Sequence, residues 1–126
     1  MAYMGRLVMV IDDDQDIREL MRLFLESQGY RVKTAADGAS AWQHLTPNEV
    51  PSLLLVDLFM PGMDGETFIK LMRSGPLAAV PIVVMSGMKM EHEAGRAIQV
   101  DEVLIKPVEL DQLLHVVHRF ASQQAA

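Results

Sequence analysis

Four sets of residues in this 126-residue sequence have the types to do chemistry together: the acidic run Asp12-Asp13-Asp14, the carboxylate of Asp57, the hydroxyl of Ser86 and the ammonium of Lys106. Carboxylates gathered in one place repel, and two unit charges about 4 Å apart cost on the order of 4 kcal/mol at an effective dielectric of about 20. A divalent cation offsets that repulsion. Hard oxygen donors suit Mg²⁺ or Mn²⁺, which keep several waters and use remaining positions for phosphate oxygens. With such an ion present Asp57 stays ionised as a nucleophile, and carboxylate attack on phosphorus gives an aspartyl-phosphate. Lys106 offers a cation and Ser86 a hydroxyl donor to the phosphoryl oxygens. Phosphoryl transfer is chiefly positioning and charge stabilisation, so this short list of parts suffices.

The elements that must position these groups are written in the apolar pattern. Leu7–Ile11 and Leu53–Val56 are uninterrupted apolar runs that stop at Asp12 and Asp57, and Pro81–Met85 is a third, stopping at Ser86. Such short runs read as buried strands. Arg31–Ala35 is a fourth strand with alternating character, and Glu102–Ile105 a short fifth one running into Lys106-Pro107. Between them lie helices. Ile17, Leu20, Met21, Phe24 and Leu25 recur at helical spacing after Asp14, with Gly29 as the stop. Asp37-Gly38 opens a second helix that buries Ala41, Trp42 and Leu45 before Pro47. Asp64 can cap a third, with Phe68, Ile69, Leu71 and Met72 inward and Gly75-Pro76 closing it. The helical signal from Met88 to Val100 is weak, because Gly95 interrupts it. A last helix carries Leu110, Leu113, Leu114, Val117 and Ala121 on one stripe, and the tail 123–126 is expected to fray. Five β-α units with apolar strands specify an α/β fold, a doubly wound parallel sheet with helices on both faces. Right-handed crossovers put every strand's C-terminal end on one edge, where open α/β sheets bind ligands.

The chain is long enough for one domain, residues 1–126, and too short for a second core. Hydrophobic residues make up 50% of it, yet no apolar stretch approaches the roughly 18 residues that span a bilayer. Neither the N-terminus nor the composition suggests export or a membrane, and the lack of cysteine suits a reducing, cytoplasmic setting. The net charge of −6 disfavours direct nucleic-acid binding, since no basic cluster stands out.

Plainer readings exist for each residue. Asp14 is suited to cap the first helix, a role that Asp12 and Asp13 do not need as well. Ser86 alone would be a turn serine, and Lys106 alone a solvated cation before a proline-started helix. The pair His115 and His118 shares a helix face but has no further ligand nearby in sequence, and His44 and His92 read as surface residues. The ten methionines read as core filling, although Met85, Met88 and Met90 lie near the proposed edge.

Taken together, Asp12-Asp13 after strand one, Asp57 in Val-Asp-Leu-Phe-Met-Pro-Gly-Met-Asp-Gly, Ser86 in Met-Ser-Gly and Lys106 in Lys-Pro resemble the receiver domain of two-component response regulators, over about Leu7 to Phe120. The resemblance implies a flavodoxin-like fold of strand order 2-1-3-4-5. It implies that Asp57 takes a phosphoryl group from the phosphohistidine of a sensor histidine kinase or a histidine phosphotransfer protein. It implies Mg²⁺ held by Asp13, Asp57 and the backbone carbonyl of Phe59, with Asp12 assisting through water, and a cis proline at Pro107. Such a chain is a signalling module that catalyses only its own phosphorylation and dephosphorylation, and it acts on a downstream protein. One departure is Val103, where receivers usually carry a Tyr or Phe three residues before the lysine. Another is the segment from Ser86 to Lys106, a residue or two short of the usual length.

Two other functions fit less well. A phosphatase of the haloacid dehalogenase type needs a second acid two residues after the nucleophile, where this chain has Phe59. A flavin-phosphate binder wants a Ser/Thr/Gly-rich loop after strand one, where this chain has three aspartates.

Overall fold

The computed structural model describes residues 5–46, 48–58, 65–87 and 100–121. Three strands, β1 (Leu7–Ile11), β3 (Leu53–Asp57) and β4 (Ile82–Ser86), are buried at every residue. That explains why their sequences show no polar alternation: both faces of these strands are covered. Alternate residues serve opposite faces. Met9, Ile11, Leu54, Val56, Ile82 and Val84 join one core, and Val8, Val10, Leu53, Leu55, Val83 and Met85 the other. The strands β2 (Arg31–Ala35) and β5 (Glu102–Ile105) are the two edges of a five-stranded parallel sheet of order β2-β1-β3-β4-β5. Each edge strand buries a single residue, Ala35 or Leu104, and carries charges that discourage further pairing.

Four helices cover the sheet among the described residues: α1 (Gln15–Ser27), α2 (Gly38–His44), α3 (Gly65–Arg73) and α4 (Leu110–Ala121). Ala41 of α2 and Phe68, Ile69 and Met72 of α3 close the first core. Met21 and Leu25 of α1 with Leu113, Val116, Val117 and Ala121 of α4 close the second. Burying each large side chain of this kind contributes roughly 1.5–3 kcal/mol. The Asp14 carboxylate caps α1, accepting from the amides of Asp16 (2.9 Å) and Ile17 (3.2 Å), and that of Asp37 caps α2 from Ser40 at 2.7 Å. Beyond α1, Gly29 takes a φ of 98°, the left-handed stop its position called for.

Three details differ from the sequence reading. Trp42, expected inward, is 38% exposed, because α2 turns Ala41 to the sheet and leaves the indole beside Leu45, Met72 and Gly75–Leu77. Leu20 is 53% exposed: Met21 and Leu25 reach the core, and Leu20 instead borders a groove of about 460 Å³ between α1 and the segment Lys106–Leu110. β4 starts at Ile82 rather than Pro81, whose carbonyl nonetheless accepts from the amide of Leu54. Pro47, Phe59, Asp64, Met88, Met90, His92, Gly95 and the tail 123–126 lie outside the described residues. Among the described residues no helix is long and apolar enough to cross a membrane.

Candidate functional site

The sheet delivers its acidic and basic groups to one edge by backbone pairing. The amide of Asp12 donates to Ala35 O at 3.1 Å, extending the β1–β2 ladder one residue past β1. Asp57 is the last residue of β3, in register with Met85, and the next amide, that of Leu58, donates to Met85 O at 3.0 Å. Ser86 ends β4 opposite Ile105, and its carbonyl accepts from the amide of Lys106 at 2.7 Å. Strands β1, β3, β4 and β5 therefore end side by side, and each contributes one of the residues singled out from the sequence. The peptide bond Lys106–Pro107 is cis.

Burial sorts the groups. Asp12 is fully buried, Asp57 is 5% exposed and Ser86 1%, whereas Asp13 is exposed. A buried carboxylate needs hydrogen bonds and a counter-charge, and Asp12 has both. Its Oδ1 accepts from the amide of Asp14 at 2.9 Å, and its Oδ2 accepts from Lys106 Nζ at 3.0 Å. The same ammonium lies 3.3 Å from Asp57 Oδ2, so one lysine faces two carboxylates. Burial works against the charge of Lys106, but the hydrogen bond and charge of Asp12, joined by Asp57, outweigh it and hold its pKa above the ordinary lysine value.

The carboxylates of Asp12, Asp13 and Asp57 each offer an oxygen, and these oxygens all lie within 4.8 Å of one another. Opposite ligands of an octahedral Mg²⁺ stand about 4.2 Å apart, twice the usual Mg–O distance. The three oxygens are close enough to converge on one such ion, the donors are all oxygen, and exposed Asp13 leaves one side open to water. The residues present fit the ion. Phe59, named for a backbone ligand, lies outside the described residues.

Two contributors were not anticipated from the sequence. Arg18 Nη1 donates to the carbonyl of Asp12 at 2.7 Å, a bond between α1 and the loop before it. Gly65, the first residue of α3, donates its amide to Leu58 O at 3.1 Å and sits against the chain that carries Asp57. A Cβ there would fall 2.5 Å from Asp57 O and 2.8 Å from Leu58 Cα, which only glycine avoids. The Asp-Gly pair ahead of an apolar helix was a visible signal for it. For Arg18 the sequence carried no such signal, because the bond reaches back six residues to a loop carbonyl rather than to a side chain one turn away. His115 is exposed and His118 packs on the ring of Tyr30, and neither joins a potential metal cluster among the described residues.

Comparison with known proteins gives this edge its context. Residues 8–118 match the model of the response regulator receiver domain. The chain is 31% identical over 123 residues to response regulator Rre1 of Synechocystis, covering 94% of this chain and 53% of that protein. It spans about half the length of the first curated relatives it matches. Among solved structures, a response regulator receiver protein from Pseudomonas putida superposes with a TM-score of 0.84 at 32% identity, over 91% of this chain and 97% of that one. Chemotaxis protein CheY4 of Vibrio cholerae gives a TM-score of 0.84 at 28% identity, over 92% and 98% of the two chains. That family characteristically binds Mg²⁺ through acidic residues, and the cluster of Asp12, Asp13 and Asp57 stands at the strand ends of a sheet with the same order. By sequence, by fold and by the acidic edge alike, the chain belongs to the response regulator receiver domains, the phosphoacceptor modules of two-component signalling.

Proposed function

We propose that Asp57 is the phosphoacceptor of this receiver, in a Mg²⁺-dependent reaction with the phosphohistidine of a sensor histidine kinase or histidine phosphotransfer protein. The observation that carries the reading is the meeting of Asp57 with Asp12, Asp13 and Lys106 at one sheet edge. A carboxylate oxygen of Asp57 forms the new P–O bond as the P–N bond to the partner's imidazole breaks, and the leaving nitrogen recovers a proton from solvent. Asp12, Asp13 and Asp57, with the Phe59 carbonyl, would hold Mg²⁺, which when bound neutralises charge on the carboxylates and the phosphoryl oxygens. Lys106, already 3.3 Å from Asp57 Oδ2, is placed to pair with a phosphoryl oxygen. Ser86, one strand over, supplies the hydroxyl donor. Fixed donors of this kind act where charge develops, and their arrangement needs no reorganisation during transfer.

The chain promotes its own phosphorylation and later hydrolysis and has no other substrate. Within residues 1–126 we read one cytoplasmic receiver domain whose phosphorylated form changes its contact with a downstream protein. Direct contact with nucleic acid or membrane plays no part in this reading, in keeping with a net charge of −6. The phosphatase alternative lacks the acid it needs, since residue 59 is phenylalanine. The test uses acetyl phosphate as a small donor and intact mass as the readout. Wild type should gain a phosphate adduct when incubated with Mg²⁺ and none when incubated in EDTA, and Asp57→Asn should gain none. An adduct of equal yield on Asp57→Asn would rule out the assignment.

A further inference from the structure

We propose that Arg18 is a positioning residue for the cation site: by holding the Asp12 carbonyl it aims the Asp12 and Asp13 carboxylates at Asp57, and so sets the affinity for the divalent ion. The proposal rests on the reading of that cluster as a Mg²⁺ site. Arg18 lies at the start of α1 and is half-buried, and its Nη1 reaches back six residues to Asp12 O at 2.7 Å. A charged donor makes this a stronger bond than a neutral one. Asp12 is then held at every polar group: its amide by Ala35 O, its carbonyl by Arg18, its carboxylate by the amide of Asp14 and by Lys106. The carbonyl matters most for the next residue. A peptide unit is planar, so fixing the Asp12 oxygen fixes the direction in which the chain enters Asp13. Asp13 is exposed, and packing does little to orient it.

The sign of the effect separates this role from a simple charge. A guanidinium near a cation site repels the ion, so on Coulombic grounds alone its removal should tighten Mg²⁺ binding. Removal of a positioning group should weaken it instead. Arg22 is the natural control, one turn further along α1 and paired with Glu19 and Glu26 rather than with the acidic loop.

Isothermal titration of Mg²⁺ into metal-free wild type, Arg18→Gln, Arg18→Lys and Arg22→Gln, with thermal melts in EDTA to establish folding, tests the proposal. Arg18→Gln should bind about tenfold more weakly, the scale at which partners of ligating groups act. Arg18→Lys keeps the charge but loses the planar fork, so it should lose less affinity, and Arg22→Gln should match wild type. Equal or tighter binding by Arg18→Gln, or an equal loss in Arg22→Gln, overturns the role of Arg18 and leaves the cation site standing. Should Arg18→Gln be unfolded in EDTA, wild-type affinity in Arg18→Lys overturns it instead. Wild type that binds no Mg²⁺ removes the site and this proposal together.

Discussion

Lys106 is the residue on which the metal-free edge depends, because its ammonium faces both Asp12 and Asp57 while its own side chain is only 24% exposed. Removing one partner of such a pair leaves a buried charge uncompensated. Lys106→Met should therefore lower metal-free stability by about 2 kcal/mol, below the range for fully buried pairs because water reaches the lysine. Urea melts in EDTA measure it, and millimolar Mg²⁺ should return part of the loss. The raised pKa of Lys106 has a pH signature of definite sign. Its contribution is fully present below the ordinary lysine value, about 10.4, and is lost as pH rises through the higher folded value. Wild type should accordingly lose stability more steeply than Lys106→Met above that pH. At this scale much was legible in the sequence: Asp12, Asp57, Ser86 and Lys106 each end or follow an apolar run, and a run that stops at a polar group marks where a buried strand surfaces. The bond from Arg18 was not, since it depends on how the loop after β1 folds back on α1, which no spacing rule encodes.

The elements were readable for the same reason that the site was, and they failed where two faces compete. Helix α1 was visible in its spacing, yet only Met21 and Leu25 of its apolar residues are buried, and Leu20 faces the groove by Pro107. α2 is short, so neighbouring Ala41 and Trp42 cannot both face the sheet, and the smaller of the two, Ala41, takes the buried place. The close approach of α3 to the end of β3 yields the sharpest prediction at this scale. Gly65→Ala would put a methyl group 2.5 Å from Asp57 O and 2.8 Å from Leu58 Cα, so the backbone itself must shift. Overpacking against backbone should cost about 3 kcal/mol and slow phosphorylation by displacing Asp57. Gly87→Ala meets nothing within 4 Å and should be close to neutral. Urea melts of the two variants make the comparison, and equal midpoints would refute the tight fit at Gly65.

At the scale of the whole molecule, a parallel sheet of order β2-β1-β3-β4-β5 brings four strand ends from residues 12 to 106 to one edge. Right-handed crossovers made that edge foreseeable without coordinates. The consequences for output were less readable, because Val103 stands where an aromatic is usual and the helical signal from Met88 to Val100 is weak. Gathering like charge at one edge links the fold to its cation. Mg²⁺ that binds only the native cluster should stabilise the domain by RT ln(1 + [L]/Kd), about 2.7 kcal/mol at a hundredfold excess over Kd. Asp13→Ala should abolish that response while slightly raising metal-free stability, since an exposed like charge is deleted. Thermal midpoints with Mg²⁺ and with EDTA check both halves. The most direct test of the central claim is chemical: phosphorylate wild type with acetyl phosphate and Mg²⁺, reduce the acyl phosphate with borohydride, and locate the resulting homoserine by tandem mass spectrometry of peptides. Homoserine should appear at position 57 and only when Mg²⁺ was present; homoserine at another aspartate, or none at 57, would contradict the account.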